Sequence, residues 1–451
     1  MFNFKLSYYT VVTDCINEES NNPKRIIYST RSGKSIVISE RILHKITEND
    51  FTDIHDDILK TLLDGEFIVP EEDNEFADIM EQNRTFIQEP DIASFTIQPG
   101  ANCQLGCHYC GQSHTKNYLS QHLYEKLIAR VREITSRKQY RILSISWYGG
   151  EPLMALKQIR DLSPELIRIA EDNKLIYAAS MITNGLSLKP EIFTELVQKY
   201  QIKSFQITID GMKEHHDQRR ITKTGEPTYD IIFENVKKCA SLPLYKEEGC
   251  NIAVRCNIDK SNYESIMPFV EILTESGLKD KITMQFAPIV DWGDVLASKN
   301  SLKKEEFAEV EIDWLMQLLK AGYHTDLIPG RSYAPCMVVN PEAEVYDAFG
   351  NIFPCYEFPY TEKYQTSDHI VGNLANPAET YKYDVHTRSW FDDVEAGKSW
   401  CKKCKFFPVC GGGCPKQWLS GTPACPSFKF NMEDRLVLQY IVDKNKLEEV
   451  L

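Results

Sequence analysis

Long apolar runs are missing from this chain. No stretch approaches the ~20 consecutive apolar residues that a membrane-spanning helix needs, and no opening segment joins a basic start, an apolar centre and a small-residue cleavage site. Positive charge is also short, with 51 Lys and Arg against 65 Asp and Glu and a formal net charge of −14. A nucleic-acid surface needs a basic stripe, so neither nucleic acid nor a membrane is expected as a partner. Internal repeats and low-complexity linkers are absent as well. What remains predicts a cytoplasmic globular protein. Its 451 residues exceed one ordinary core, so two or three domains are expected.

Cysteine, by contrast, is plentiful. Ten of the fourteen cysteines fall into two spaced sets. The first, Cys103, Cys107 and Cys110, is a C-x3-C-x2-C run. The second comprises Cys336, then Gly350-x4-Cys355, then Cys401-x2-Cys404-x5-Cys410-x3-Cys414, and Cys425. Thiols stay reduced in the cytoplasm, and disulfide scaffolds are small where this chain is not. Short loops aim several thiolates at one centre, so both sets read as metal ligands. Three cysteines cannot complete the four ligands of a cubane cluster, which leaves one iron free for chemistry. A zinc knuckle completed by His108 or His114 is the alternative. Cys15, Cys239 and Cys250 have no motif around them and read as packing residues.

Three regions follow from the patterning. Residues 1–90 combine strand-like segments (Tyr8–Thr13, and Arg25–Ile38 with a hairpin turn at Arg31–Lys34) with helical ones (Glu40–Ile46, Asp53–Leu63, Asn74–Gln82), as in a compact α+β or winged-helix module. Residues 91–325 alternate strand and helix. The strands are Ser94–Gln98, Ile142–Trp147, Tyr177–Ile182, Ser204–Ile209, Ile252–Asn257 and Ile282–Phe286. Helices at Ser120–Ser136, Leu156–Asp172, Lys189–Tyr200, Tyr229–Ser241 and Tyr263–Ser276 separate them. Parallel βαβ units result, in either a doubly wound sheet or an incomplete barrel, with reactive loops at the carboxyl ends of the strands. Residues 326–451 are loop-rich, and metal crosslinks are expected to supply the stability that a small core does not.

The early trio follows the first barrel strand, with Tyr109 before its last cysteine. Gly149-Gly150-Glu151-Pro152 follows the second strand, where glycines let a ligand approach the backbone and a carboxylate can accept from an ammonium. Thr183-Asn184-Gly185 closes the third. Thr208-Ile209-Asp210-Gly211 ends the fourth and leads to His216-Asp217-x2-Arg220, where spacing alone leaves Arg219 or Arg220 as the matching arginine. Arg255 and Asn257 lie two apart on the fifth strand and face one side, which turns Cys256 to the other.

Together these motifs resemble the radical S-adenosylmethionine (SAM) superfamily. The resemblance implies a partial (β/α)6 TIM-like barrel, a [4Fe–4S] cluster on Cys103, Cys107 and Cys110, and SAM on its open iron. SAM would be held by Tyr109, Gly149, Gly150, Glu151, Asn184, Thr208, Asp210, Arg220, Arg255 and Asn257. Reductive cleavage of SAM then yields a 5′-deoxyadenosyl radical. The seven later cysteines resemble the SPASM domain of peptide-modifying radical enzymes. This implies two further [4Fe–4S] clusters, an outer one on Cys401, Cys404, Cys410 and Cys425 and an inner one on Cys336, Cys355 and Cys414. Anaerobic sulfatase-maturing enzymes are similar but place an aspartate base directly after the Gly-x4-Cys cysteine, where this chain has Tyr356 and then Glu357. They also carry an extra cysteine soon after the first auxiliary one, and none lies between Cys336 and Cys355. The fourth inner ligand is left to Glu342, Glu344, Asp347, water, a substrate cysteine or a group from elsewhere in the fold. The resemblance covers about residues 94–435.

The N-terminal region looks like the winged-helix elements that bind the leader of a ribosomally made precursor peptide; a plain structural cap is the other reading. The implied activity is hydrogen abstraction from such a peptide, forming a thioether or another crosslink, with flavodoxin or ferredoxin as reductant. Formylglycine formation, epimerisation, and a non-catalytic iron–sulfur or zinc protein are the alternatives.

Overall fold

The computed structural model describes residues 3–16, 22–290, 297–376 and 387–450. Strands β1 (Phe4–Leu6), β2 (Thr10–Val12), β3 (Lys24–Ser29) and β4 (Lys34–Ser39) open the chain. The last three form an antiparallel sheet in the order β2-β3-β4, with Ile27 opposite both Val12 and Ile36. Helix α1 (Glu40–Thr47) starts at once, its first turn capped by the Ser39 hydroxyl, which accepts from the Ile42 amide. Helix α2 (Asp56–Asp64), strand β5 (Ile68–Pro70), which pairs with β1, and helix α3 (Glu75–Gln88) complete this part. Ile27, Ile46, Leu62 and Phe67 are its fully buried centre.

This N-terminal part rests on the cysteine-rich segment. Val11, Ile26 and Tyr28 pack against Val409, Met432 and Leu436. The Tyr8 hydroxyl donates to the Lys403 carbonyl (2.7 Å), and Lys405 donates to the Thr10 carbonyl (3.2 Å). Among the described residues, the outer edge of β4 carries no further strand.

The central sheet begins with β6 (Ile92–Ile97), β7 (Ile142–Trp147), β8 (Ile176–Thr183), β9 (Ile202–Thr208), β10 (Asn251–Ile258) and β11 (Ile282–Pro288). Each pairs in parallel with the next. A doubly wound sheet reverses its strand order at a switch point; this order is sequential throughout, which leaves the barrel-type arrangement. Helices α4 (Tyr124–Thr135), α5 (Leu156–Asp172), α6 (Pro190–Tyr200), α7 (Lys213–Arg219), α8 (Tyr229–Ala240), α9 (Pro243–Glu247) and α10 (Ile266–Glu275) fill the connections, and α11 (Lys304–Lys320) follows β11. Strand β7 shows the logic: Leu143, Ile145 and Trp147 are buried in the main core, while Ile142, Ser144 and Ser146 between them are only partly buried.

The segment read as loops contributes to the same sheet. Strand β12 (Glu344–Tyr346) pairs in parallel with β6, placing Tyr346 opposite Ile97, and β13 (Asn351–Phe353) and β14 (Gly372–Asn373) extend it to nine strands. Buried Glu344 locks this junction by accepting from Arg130 of α4 at 2.6 and 3.1 Å. Short helices α12 (Trp390–Glu395), α13 (Phe407–Cys410) and α14 (Pro415–Leu419) follow, then the long α15 (Phe428–Val450). Arg435 of α15 pairs with Glu311 of α11 at 2.6 Å.

Candidate active site

The carboxyl ends of all six parallel strands open onto one cavity of about 410 Å³. The loop after β6 supplies Cys103, Cys107, Tyr109 and Cys110. Gly150 follows β7, Thr183 and Asn184 close β8, Gln206 and Thr208 end β9, Arg255 and Asn257 come from β10, and Pro288–Val290 from β11. The far wall is residues 356, 357 and 361, directly after the inner cysteine Cys355. The trio therefore faces, across one space, the residues that follow Cys355.

Tyr109 is the hub of the polar wall. Its hydroxyl donates to Asp210 Oδ2 (2.7 Å) and accepts from Arg220 Nη1 (2.6 Å) and Asn257 Nδ2 (3.1 Å). Asn257 in turn accepts from Arg255 Nε at 2.9 Å. Arg220 stands in the cavity wall with its Nε free of a hydrogen-bond partner, a position suited to an incoming carboxylate. Arg219 lies outside the cavity lining, 3.8 Å from Asp210 and 3.7 Å from Asp259, and Arg220 is the one of the pair that reaches the cavity.

Three residues of the set expected to hold the cofactor lie outside the cavity lining. Glu151 is buried, and its carboxylate accepts from the Thr183 hydroxyl (2.6 Å) and the amides of Asn184 (2.7 Å) and Leu153 (3.0 Å). It braces the turn rather than lining the cavity. Asp210 likewise holds Tyr109 and the Asn257 amide. Gly149 (φ +80°) is needed for close packing, since a Cβ there would meet the Gln98 side chain at 2.1 Å. Sequence reading missed Gln206, Tyr148 and Glu357 in the wall. Gln206 was within reach, because it lies two residues before Thr208 on a strand and shares its face.

Burial pushes the Cys103 thiol up to about 12, and burial also raises Cys107 and Cys110, against the pull of Arg220 on both. Three desolvated thiols around one cavity ionise readily only when a metal centre compensates them, so the donor set fits an iron–sulfur cluster. Among the described residues, no three His, Cys, Asp or Glu side chains close on a single ion.

The later cysteines divide spatially. Cys355 interacts electrostatically with Cys336 and Cys414, whereas Cys410 interacts with Cys404, Cys401 and Cys425. The glycines between Cys410 and Cys414 allow neighbours in sequence to join different groups; Gly412 has φ +92°, and a Cβ there would strike Trp390 at 2.4 Å. The carboxylates considered for the inner group are committed elsewhere: Glu344 to Arg130, Glu342 to Tyr140 and Lys138, Asp347 to the amides of Phe349 and Asn351. Glu357 instead interacts with Cys355 and Cys414 and accepts from the Tyr148 hydroxyl at 3.5 Å. Burial raises its pKa, opposed by Lys416, Arg255 and Tyr148. Cys256 points away from the cavity into a cluster with Ile258, Ile266, Phe307 and Trp314.

Comparison with known proteins places this geometry. The profile of the radical SAM superfamily matches residues 97–254. The chain is 24% identical over 365 residues to a serine-type anaerobic sulfatase-maturating enzyme of Bacteroides thetaiotaomicron, covering 72% of this chain and 82% of that one. It is 28% identical over 184 residues to the sporulation killing factor maturation protein SkfB of Bacillus subtilis, covering 41% and 40%. A solved structure of anSMEcpe with bound AdoMet superposes with a TM-score of 0.58 at 19% identity, over 79% of this chain and 94% of that one, which is a likeness of fold. The matched segment runs from the end of β6 into β10, carries the trio and most of the polar wall, and is a radical SAM domain, which with these relatives supports a radical SAM oxidoreductase.

Proposed function

We propose that this enzyme modifies a ribosomally made precursor peptide by hydrogen abstraction, forming an intramolecular crosslink. The observation that carries this reading is the shared cavity, with the cysteine trio on one wall and Tyr356 and Glu357, beside Cys355, on the other. In this reading Cys103, Cys107 and Cys110 hold a [4Fe–4S] cluster, and Arg220, Asn257 and the Gly150 backbone hold SAM. Together these groups supply the 5′-deoxyadenosyl radical. Tyr109 and Asp210 orient the arginine, and the residues at 356–361 face the substrate residue. Cys401, Cys404, Cys410 and Cys425 hold an outer auxiliary cluster, and Cys336, Cys355 and Cys414 an inner one. With Glu342, Glu344 and Asp347 occupied, the inner group keeps a coordination position for a peptide thiolate or Glu357. The relatives support a peptide or protein substrate, since their names denote maturation of sulfatases and of the sporulation killing factor. A solved structure of anSMEcpe also carries a peptide.

Residues 1–90 form the leader-binding part in this reading, and the open edge of β4 supports it, because an extended peptide adds to such an edge through backbone hydrogen bonds. Sulfatase maturation is the second reading, favoured by similarity over most of the chain and disfavoured by Tyr356 in the aspartate's place. Anaerobic co-expression with the precursor encoded beside the gene tests both. A product two hydrogens lighter that resists hydrazine derivatisation supports the crosslink. A hydrazine-reactive aldehyde on a sulfatase peptide supports maturation, and unchanged mass with solvent deuterium supports epimerisation. Full-rate modification of a cysteine-free precursor would remove the thiolate as inner ligand.

A further inference from the structure

Asn184 lines the cavity, and its side chain is bound at both ends. Its Oδ1 accepts from the Leu186 amide at 2.9 Å. A backbone N–H only donates, so this bond fixes which way round the side-chain amide stands. The Nδ2 end is thereby turned to the sulfur of Cys103, 3.7 Å away. The turn that carries Asn184 is itself held firmly. Glu151 accepts from the Asn184 amide at 2.7 Å and from the Thr183 hydroxyl at 2.6 Å. Thr183 Oγ1 accepts in turn from the Gly185 amide at 3.1 Å. Asn235 of α8 donates to the carbonyls of Gly185 (3.0 Å) and Leu186 (3.1 Å). Asn184 is 7% exposed, which keeps most water away from its donor.

Cys103 has particular need of that donor. Its charged neighbours are Glu151, Cys107 and Cys110, and each of them disfavours its thiolate. Arg220, by contrast, favours the thiolates of Cys107 and Cys110. Among the described residues, the donors that face Cys103 are the Leu105 amide (3.4 Å) and Asn184. A hydrogen bond to a ligating sulfur draws charge from it and favours the cluster that holds one more electron, which raises the reduction potential. We propose that Asn184 is a positioning residue of the trio's cluster, donating to Cys103 Sγ and raising the potential at which that cluster takes up an electron. The inference rests on the reading that Cys103, Cys107 and Cys110 hold a [4Fe–4S] cluster. It moves Asn184 from the set expected to hold SAM to the support of a cluster ligand. With dithionite as the source, its sulfur dioxide radical anion gives up one electron and the cluster gains it; no ligand bond breaks and no proton moves.

The test is an anaerobic potentiometric titration of the reconstituted holoenzyme with dithionite, without SAM or peptide, followed by electron paramagnetic resonance. Adding SAM to a fully reduced sample identifies the trio's signal as the one that changes. Asn184→Leu removes the donor, whereas Asn184→Asp keeps an oxygen for the Leu186 amide and sets a carboxylate against the sulfur. In the Leu variant the ratio of reduced to oxidised trio cluster at a fixed potential should fall tenfold, a midpoint about 59 mV lower. The Asp variant should fall at least as far, with iron content and the auxiliary midpoints unchanged in both. An unchanged trio midpoint in both variants overturns the proposal alone, and weaker SAM binding beside it would make Asn184 a SAM ligand instead. An equal fall at every cluster marks a general change of fold and also overturns it. Loss of the trio's signal from the Leu variant does the same, since Asn184 would then hold the cluster in place rather than set its potential. Wild-type enzyme with no SAM-responsive signal overturns the underlying cluster reading as well.

Discussion

At the residue scale, the cavity wall depends on a polar network gathered at one hydroxyl. Tyr109 ties Arg220, Asp210 and Asn257 together, and replacing it by Phe strips an orienting hydrogen bond from a charged partner. Tyr109→Phe should weaken SAM binding about tenfold with iron content unchanged, as read by equilibrium binding. His216 supports the same arginine from behind. Its Nδ1 accepts from the Asp210 amide at 3.2 Å, and its Nε2 lies 3.1 Å from Thr228 Oγ1, which donates to the Arg220 carbonyl. Burial, then Arg220, lowers its pKa from 6.5 to about 4. A histidine depressed by folding stabilises the protein fully above pH 6.5, and that share is lost as pH falls toward 4, in total about 3 kcal/mol. Thermal melts should show His216→Gln losing less stability than wild type between pH 7 and pH 5. Most of this site was legible from sequence because motif residues cluster at strand ends. Glu151 and Asp210 were legible as important, but their hydrogen bonds to backbone turns and to Tyr109 were not, since spacing does not reveal which groups a carboxylate meets.

At the element scale, long periodic segments were legible and short ones were not. The helix at Leu156–Asp172 and the strand at Ile142–Trp147 match their predicted bounds, whereas α3 runs six residues beyond its predicted end. Strand β12, only three residues long, shows no alternation to read; its place beside β6 is fixed by tertiary pairing and by the Arg130–Glu344 contact. Arg130→Met leaves Glu344 buried without its main partner and should cost about 4 kcal/mol in chemical unfolding. Adding Glu344→Leu should recover most of that loss. The hairpin edge offers another check. A photo-crosslinking residue at Val37 on β4 should capture the leader of a bound precursor, while one at Val11 on buried β2 should capture none.

At the scale of the whole molecule, the two sets of cysteines were legible from spacing, but the cavity between the trio and Tyr356 and Glu357 was not, because it joins residues far apart in the chain. Three cubane clusters call for roughly twelve iron and twelve sulfide per chain after anaerobic reconstitution; zinc in their place with no reductive cleavage of SAM would refute the enzyme's cluster assignment. Among the described residues no helix is long and apolar enough to cross a membrane.

The parallel pairing of β12 with β6 also governs how the chain can be cut. Excision of residues 91–325 as a free-standing barrel would strip β6 of its neighbour and leave the backbone of Phe95, Thr96 and Ile97, all buried, as a naked sheet edge. Such an edge recruits other chains, so the excised piece should precipitate even where its own helices and strands form. The cysteine-rich segment thus covers an aggregation-prone seam as well as carrying thiolates.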